Sequence, residues 1–191
     1  MREDCCVEAI VPLQCTDAQV EAIVDAKSKW IERAQSYFRL HPATTNDPPN
    51  LLIFFGETFT VVSEPSLARG IDFDEEKRVV RTRSMWSNET RAEWQRTFAR
   101  DFLRERTKAL ADAHGFSFNR LYVLNQKTVW GNCSKKRNIS LNWQLIRAPR
   151  FVIDYVILHE LLHTRFMSHG QPFWRSVSRL SERYKEAIDW L

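Results

Sequence analysis

The sequence has no long apolar run and few cysteines. No stretch of its 191 residues approaches the roughly 20 consecutive apolar residues that a helix needs to cross a bilayer. The first residues, MREDCC, are polar and acidic and do not resemble a secretory signal. Four cysteines are too few for a disulfide scaffold. We therefore expect a cytoplasmic protein with reduced thiols and no membrane association.

Acidic residues are missing from one long internal stretch. No Asp or Glu occurs between 113 and 153, although the net charge of the whole chain is only +4. The stretch carries seven basic residues, namely Arg120, Lys127, Lys135, Lys136, Arg137, Arg147 and Arg150. A solvated basic face is the favoured interpretation. The alternative is a surface that attracts an anionic substrate or weakly binds nucleic acid.

Patterns typical of helices and of strands alternate along the chain, which predicts an α+β fold. Four β-like runs between 51 and 83 predict a small antiparallel sheet. The chain divides into a β-rich N-terminal lobe with one long helix (1–86) and a second lobe (87–191). Helices are predicted over 17–39, 88–113, 149–166 and 172–191, and strands over 7–12, 51–55, 58–63, 67–73, 77–83, 118–125, 128–134 and 137–143.

Three of the five histidines lie between 159 and 169. They occur as His159-Glu160-Leu161-Leu162-His163, followed after five residues by His169. Residues four apart share one face of a helix, so that the imidazoles of His159 and His163 can converge on one cation. Glu160 is rotated from His159 by about 100° and can reach a water molecule there without being a ligand. A chain of this composition would contain H-E-x-x-H by chance in about one case in a hundred.

The third ligand must come from outside this helix face. The segment 167–170, MSHG, is typical of a break after a helix. We expect Gly170 to adopt a left-handed backbone conformation that returns His169 to the metal. Three neutral imidazoles leave a fourth tetrahedral position for water, as in catalytic zinc sites. The pattern therefore predicts a zinc hydrolase with three imidazole ligands and Glu160 as its general base.

Three features near the motif leave alternatives open. Cys133 is another candidate ligand, although a small thiol in the core is the favoured interpretation. The run 138–143 is either an ordinary strand or an exposed edge strand that pairs with an extended peptide substrate. Tyr155 lies one turn before His159 on the same helix face, where we expect it to pack.

Four segments carry a resemblance to a known family. They are KTVWGNCS (127–134), ISLNWQL (139–145), YVILHELLH (155–163) and HGQPFW (169–174). Together they resemble the motifs of the YgjP-like metallopeptidase domain family, most strongly over 94–191. Val129 and Asn132 stand where the family pattern has Arg and Ser.

This resemblance implies that His159, His163 and His169 bind zinc and that Glu160 is the catalytic carboxylate. It also implies a zincin-like metallopeptidase lobe over 87–191, in which the active-site helix lies beside a small sheet. The family is similar to the SprT and WLM proteases, which act on protein crosslinked to DNA, and some members are assigned as UTP pyrophosphatases.

Three functions stay open on this basis. The first is a zinc metallopeptidase of the HExxH class acting on a peptide substrate. The second is a zinc-dependent nucleotide phosphoanhydride hydrolase acting on an anionic substrate, similar to a UTP pyrophosphatase. The third is a DNA-associated module with a structural metal, against which the intact Glu160 argues, because a structural site does not need that carboxylate.

Overall fold

The computed structural model describes residues 15–28, 31–32, 48, 50–68 and 70–191. The chain forms two compact units, Met1–Asn46 with Leu191 and Asp47–Trp190. In the first unit, helix α1 spans Asp17–Ala26. It begins after Thr16, whose backbone N–H donates to Oε1 of Gln19 at 3.0 Å. The predicted strand 7–12 and most of the predicted helix beyond Ala26 lie outside the described residues.

The second unit begins with a four-stranded sheet in the order β1-β2-β4-β3. Strands β2 and β4 run parallel, whereas the other two pairs are antiparallel. The predicted antiparallel sheet is therefore wrong in one pairing. The connection after β2 carries the chain to the far edge, so that β4, and not β3, returns beside β2. The strands are β1 Leu51–Phe54, β2 Glu57–Ser63, β3 Ile71–Asp74 and β4 Val79–Thr82.

A long helix, α2, follows this sheet and spans Asn88–His114. The hydroxyl of Ser87 accepts a hydrogen bond from the backbone N–H of Thr90 at 3.2 Å, which satisfies one of the free amides at the helix start. Gly115 ends the helix in the left-handed conformation, with φ of 66°, where glycine has no steric penalty. Both predicted helix boundaries are confirmed.

The second sheet has three strands in the order β5-β7-β6. Strands β5 and β7 are parallel, and β6 and β7 are antiparallel. Because β7 lies in the centre, the hypothesis that 138–143 forms an exposed edge strand is wrong. Within the described residues, β6 is the edge strand on one side. The strands are β5 Arg120–Leu124, β6 Gly131–Cys133 and β7 Asn138–Asn142.

Three helices complete the second unit after a short 3-10 helix at Trp143–Arg147. They are α3 Arg150–Leu162, α4 Gln171–Leu180 and α5 Tyr184–Trp190. Pro149 immediately precedes α3, close to the predicted helix start. The single helix predicted over 172–191 is wrong, because Ser181 takes an extended conformation with φ −134° and ψ 101°. This break turns α5 away from the axis of α4.

The core of the second unit is apolar and rich in aromatic rings. Helix α3 packs against α2, α4, α5 and the edge strand β6. Beneath the first sheet, ring centroids of neighbouring side chains lie 4.8–6.4 Å apart, in the range favourable for aromatic pairs. This cluster contains Phe54, Phe59, Phe73, Trp94 and Phe98.

The described residues thus form a mixed α+β fold with five α-helices and two small mixed sheets, as the α+β prediction states. The predicted lobe boundary between 86 and 87 lies between β4 and α2, inside the second compact unit, and the division into two lobes stays a prediction. No helix among the described residues is long and apolar enough to cross a membrane.

Candidate metal centre

The three histidines of the motif converge on one point. Helix α3 presents His159, and His163 follows directly after its last residue, one turn away on the same face. The Nε2 atom of His159 lies 3.1 Å from Nε2 of His163 and 3.0 Å from Nε2 of His169. Among the described residues this is the one group of three or more His, Cys, Asp or Glu side chains able to hold a metal ion.

A tight turn after α3 brings His169 back to the other two imidazoles. The backbone N–H groups of Arg165 and Phe166 both donate to the carbonyl of Leu162, at 2.9 Å each. These bonds reverse the chain before Gly170, which has φ −71° and ψ 178°. The expected left-handed conformation at Gly170 is therefore wrong, because the reversal is made earlier by hydrogen-bonded turns.

Hydrogen bonds orient two of the imidazoles. Nδ1 of His163 lies 2.8 Å from the carbonyl oxygen of Phe166. Since a carbonyl only accepts, Nδ1 carries the proton and donates, and Nε2 keeps its lone pair. Nδ1 of His159 lies 3.4 Å from the hydroxyl of Tyr155, a contact beyond the packing expected for this tyrosine. Such partners on the far nitrogen fix the ring of a metal ligand.

The pKa values of two of the imidazoles, those of His159 and His169, are lowered. Burial lowers the pKa of His159 to about 4, with contributions from His163 and His169. Burial also lowers the pKa of His169, and His163 adds to that effect. At neutral pH, these rings therefore direct uncharged nitrogens at each other.

This donor set fits a zinc ion. Nitrogen ligands lie about 2.0–2.1 Å from zinc, so that two of them in a tetrahedral site are about 3.3 Å apart. The separations of 3.0 and 3.1 Å between the Nε2 atoms are close to this value. Three neighbouring nitrogen lone pairs cannot all satisfy one another by hydrogen bonds, whereas a shared cation satisfies all of them.

A phenyl ring from α4 supports the histidine cluster. The side chain of Phe173 is fully buried. Its ring centroid lies 4.9 Å from that of His159 and 4.8 Å from those of both His163 and His169. The ring stacks on His163 with an interplanar angle of 24°. One aromatic side chain thus contacts all three imidazoles and limits how far each can tilt.

The side chain of Glu160 lies against the second sheet, since a Cβ atom added to Gly131 of β6 would be 2.8 Å from its Cγ atom. Only 6% of its surface is exposed, and its Oε2 atom has no hydrogen-bond partner among the described residues. Burial raises the pKa of this carboxyl group to about 7. A carboxyl group in such surroundings accepts and releases protons near neutral pH, as a general acid–base catalyst requires.

Cys133 and Tyr155 belong to the surroundings of Glu160. Burial, and secondarily the charge of Glu160, raise the pKa of the Cys133 thiol. Burial raises the pKa of Tyr155 to about 12, with smaller contributions from Glu160 and Tyr184. Cys133 is not a member of the histidine cluster. It is a half-buried free thiol whose raised pKa keeps it protonated at neutral pH.

An open cavity of about 640 Å³ adjoins the third histidine. It follows one face of α4, since Gln171, Trp174, Arg175 and Ser178 are spaced as neighbouring turns of a helix. The Arg175 guanidinium donates to Oε1 of Gln171 at 3.4 Å. The cavity is lined by His169, Gln171, Trp174, Arg175, Ser178 and Tyr184.

The basic residues between 113 and 153 do not form one uniform face. Arg147 is buried. Arg150 forms an ion pair with Glu75 at 2.6 Å and lies over the ring of Phe55. Lys135 and its two basic neighbours are exposed on the turn between β6 and β7. At least two of the seven cations therefore have structural contacts, and the exposed turn is the most basic surface of this stretch.

Sequence reasoning missed two residues of this site. Phe173 lies in the first turn of α4, which begins two residues after His169, and its place in the HGQPFW segment was the only signal for it in the sequence. Gly131 lies against Glu160, where an added Cβ would be only 2.8 Å from Cγ. Sequence alone offered no signal for that contact, because it joins a strand and a helix about 30 residues apart in the chain.

Comparison with known proteins identifies the family of this chain. No curated protein gives a significant match. The crystal structure of the metallopeptidase zymogen of Pyrococcus abyssi abylysin aligns with 46% of this chain and 89% of its own, at 24% identity and a TM-score of 0.41. A likeness at that TM-score supports no further argument. The sequence model of the YgjP-like metallopeptidase domain matches residues 1–191. The chain therefore belongs to the YgjP-like metallopeptidase domain family.

Proposed function

We propose that this protein is a zinc-dependent metallopeptidase of the HExxH class. In this proposal, His159, His163 and His169 hold the zinc ion and Glu160 is the general base. The observation that carries it is the convergence of three Nε2 atoms, 3.0 and 3.1 Å apart, at the end of a helix that also carries the buried carboxylate of Glu160. A purely structural zinc site is usually closed by four protein ligands. The described residues supply three.

The arrangement of secondary structure supports a zincin-like lobe. Helix α3 carries the motif, and the edge strand β6 of a small sheet packs against it. The turn after α3 and the start of α4 complete the site with His169 and Phe173. This is the arrangement in which an active-site helix lies beside a sheet, as the resemblance implies.

Each residue of the site has a separate role in the proposed hydrolysis. A bound zinc ion supplies Lewis-acid activation of water and of the substrate carbonyl. Glu160 accepts a proton from the attacking water through its unpartnered Oε2 atom and delivers it to the leaving amine nitrogen. Phe173 keeps the imidazoles in place, and Phe166 and Tyr155 hold the Nδ1 atoms of His163 and His159.

A peptide substrate fits the edge of the second sheet. Within the part of the chain that the structure describes, strand β6 pairs with β7 on one side only, and it packs against α3. An extended peptide can pair with the free edge of a strand through backbone hydrogen bonds. Such pairing would place the peptide backbone beside the face that contacts Glu160.

One observation favours the second candidate, a nucleotide phosphoanhydride hydrolase. Arg175 lines the cavity beside His169, where a guanidinium would bind a phosphate group. Trp174 and Tyr184 line the same cavity and offer rings on which a base can stack. The exposed basic turn after β6 adds positive charge to the second unit.

Two variants test the proposed site. Glu160→Gln keeps the shape of the side chain but removes its basicity. We expect zinc content and Tm close to wild type, and hydrolysis slower by about 10²–10⁴-fold. His163→Ala should instead lose most of the zinc, measured by elemental analysis after dialysis. Assays on fluorescent casein and, separately, on nucleoside triphosphates distinguish the two candidate substrates.

The contrast between the two variants is decisive. Loss of zinc in Glu160→Gln would mean that this carboxylate is itself a ligand. Full activity in that variant would exclude the HExxH mechanism. Undiminished zinc in His163→Ala would exclude the histidine site.

A further inference from the structure

Gly131 approaches the buried carboxylate of Glu160 more closely than any larger residue could. It is the first residue of β6. A Cβ atom added to Gly131 would lie 2.8 Å from Cγ, 3.0 Å from Oε1 and 3.1 Å from Cδ of Glu160. Separations below 3.0 Å are well inside the usual contact distance of about 3.5–4.0 Å between carbon atoms. The side chain of Glu160 thus occupies the space that a side chain at 131 would need.

Backbone conformation does not explain the glycine. The glycines with positive φ in the described part of the chain are Gly56 and Gly115, so that the φ angle of Gly131 is one that other residues also adopt. Its neighbours in β6 pair with β7 in regular antiparallel register. The contact with Glu160 is therefore the feature of this position that excludes a side chain.

We propose that Gly131 is a positioning residue for Glu160. By having no side chain, it lets β6 pack closely on α3 and leaves the volume that the carboxylate of Glu160 occupies. The role of that carboxylate in catalysis rests on the proposed function above, whereas the packing of Glu160 against Gly131 does not.

The same face of β6 forms the rest of this wall. Side chains alternate between the two faces of a strand, so Gly131 and Cys133 face the same side and Asn132 the other. Cys133 is close enough to Glu160 for the carboxylate charge to contribute to its raised pKa. A residue without a side chain and a residue with a small thiol thus line the space around the carboxylate. The contact with Glu160 explains the glycine of this Gly-x-Cys pattern.

The test is a double-mutant cycle between the two positions. Gly131→Ala adds one methyl group to a filled space, and we expect Tm to fall by roughly 3–10 °C. Glu160→Ala removes Cγ, Cδ and both oxygens, which are the atoms that the new methyl would meet. In the Glu160→Ala background, Gly131→Ala should therefore change Tm by less than about 2 °C.

Gly70→Ala is the matched control. A Cβ atom at Gly70 would meet no atom within 4 Å. This control measures what replacing glycine with alanine does to the unfolded chain alone, which is a small stabilisation. We expect Gly70→Ala to leave Tm equal to, or slightly above, that of the protein without this change, both in wild type and in the Glu160→Ala variant.

The catalytic part is tested on fluorescent casein, with zinc content measured in the same samples. We expect Gly131→Ala to keep about one zinc per chain, because the three atoms nearest to the added methyl all belong to Glu160 and not to an imidazole. Its kcat should fall by at least about 10²-fold while KM changes little, since the carboxylate moves and the peptide-binding edge does not.

Each outcome decides the proposal. Coupling between the two positions together with a loss of kcat supports it. If Gly131→Ala lowers Tm equally in wild type and in the Glu160→Ala background, the proposal is overturned. Coupling between the two positions with an unchanged kcat in Gly131→Ala also overturns it. If wild-type protein hydrolyses neither casein nor nucleotides, the proposed function fails on its own, and the thermal cycle alone then shows whether Gly131 holds the place of Glu160.

Discussion

Replacing Phe173 with leucine should weaken zinc binding by more than its effect on folding explains. The ring is fully buried and lies 4.8–4.9 Å from all three imidazole centroids. A leucine fills less volume and has no flat face, so that each imidazole gains freedom to tilt. Residues that orient metal ligands contribute about 10–100-fold to metal affinity.

The expected cost to folding follows from burial. Removing part of a buried aromatic side chain destabilises by less than the 3–5 kcal/mol that Phe→Ala costs. We expect Phe173→Leu to lower the free energy of unfolding by about 1–2 kcal/mol. For a domain of this size, that loss lowers Tm by roughly 2–8 °C. Measuring Tm with a chelator present separates this effect from the stabilisation that bound zinc provides.

Phe59→Leu is the matched control for this variant. Phe59 is also almost completely buried, with 1% of its surface exposed. It lies in the aromatic cluster of the first sheet, where its ring contacts Phe54 and Phe73. Both variants should therefore lose similar stability without metal. Only Phe173→Leu should need about 10–100 times more free zinc for half saturation, in competition with a chromophoric chelator.

A single result would refute this reasoning. If Phe173→Leu binds zinc as tightly as Phe59→Leu, while both lose the same Tm, then Phe173 only fills the core. The orientation of the imidazoles would in that case come from their hydrogen bonds alone.

Three further predictions concern other parts of the second unit. Tyr155→Phe should lower zinc affinity by about 10-fold in the same chelator titration, and an unchanged affinity would show that the hydroxyl only packs. Asp154→Asn breaks the bidentate pair with Arg106, formed at 2.6 and 2.7 Å. Because both groups are partly exposed, we expect a cost of about 1 kcal/mol, or roughly 2–4 °C in Tm, and no change would mean that the pair is fully screened. If DNA binds weakly at low salt, the combined change Lys135→Ala and Lys136→Ala should abolish most of that binding in fluorescence anisotropy. Wild-type protein that binds no DNA at low salt would remove the nucleic-acid hypothesis.

Local sequence signals predicted the elements of the site well. Ser87 and Gly115 mark the ends of α2, because a side-chain cap and a left-handed glycine satisfy helix ends locally. The spacing of His159 and His163 places both on one face of a helix, whatever that helix packs against. The return of His169 was also expected, although turn hydrogen bonds, and not Gly170, make the reversal.

Long-range pairing escaped sequence reasoning. Strand β4 pairs with β2 in parallel, and β7 lies in the centre of its sheet where an edge strand was one of two hypotheses. Alternating apolar residues indicate that a strand forms, but they do not say which neighbour it takes. That choice depends on how the connections cross the sheet, which no local pattern records.

The sequence by itself therefore predicted the three histidines, the spacing that places His159 and His163 on one helix face, and the membership of a metallopeptidase family. Only the tertiary structure decided how the donors are held and how the carboxylate is buried. Phe173 contacts all three imidazoles because α4 folds back on α3, and Gly131 meets Glu160 because β6 lies on the same helix. Contacts of this kind depend on distances of a few tenths of an ångström between elements, and close packing of the core sets those distances.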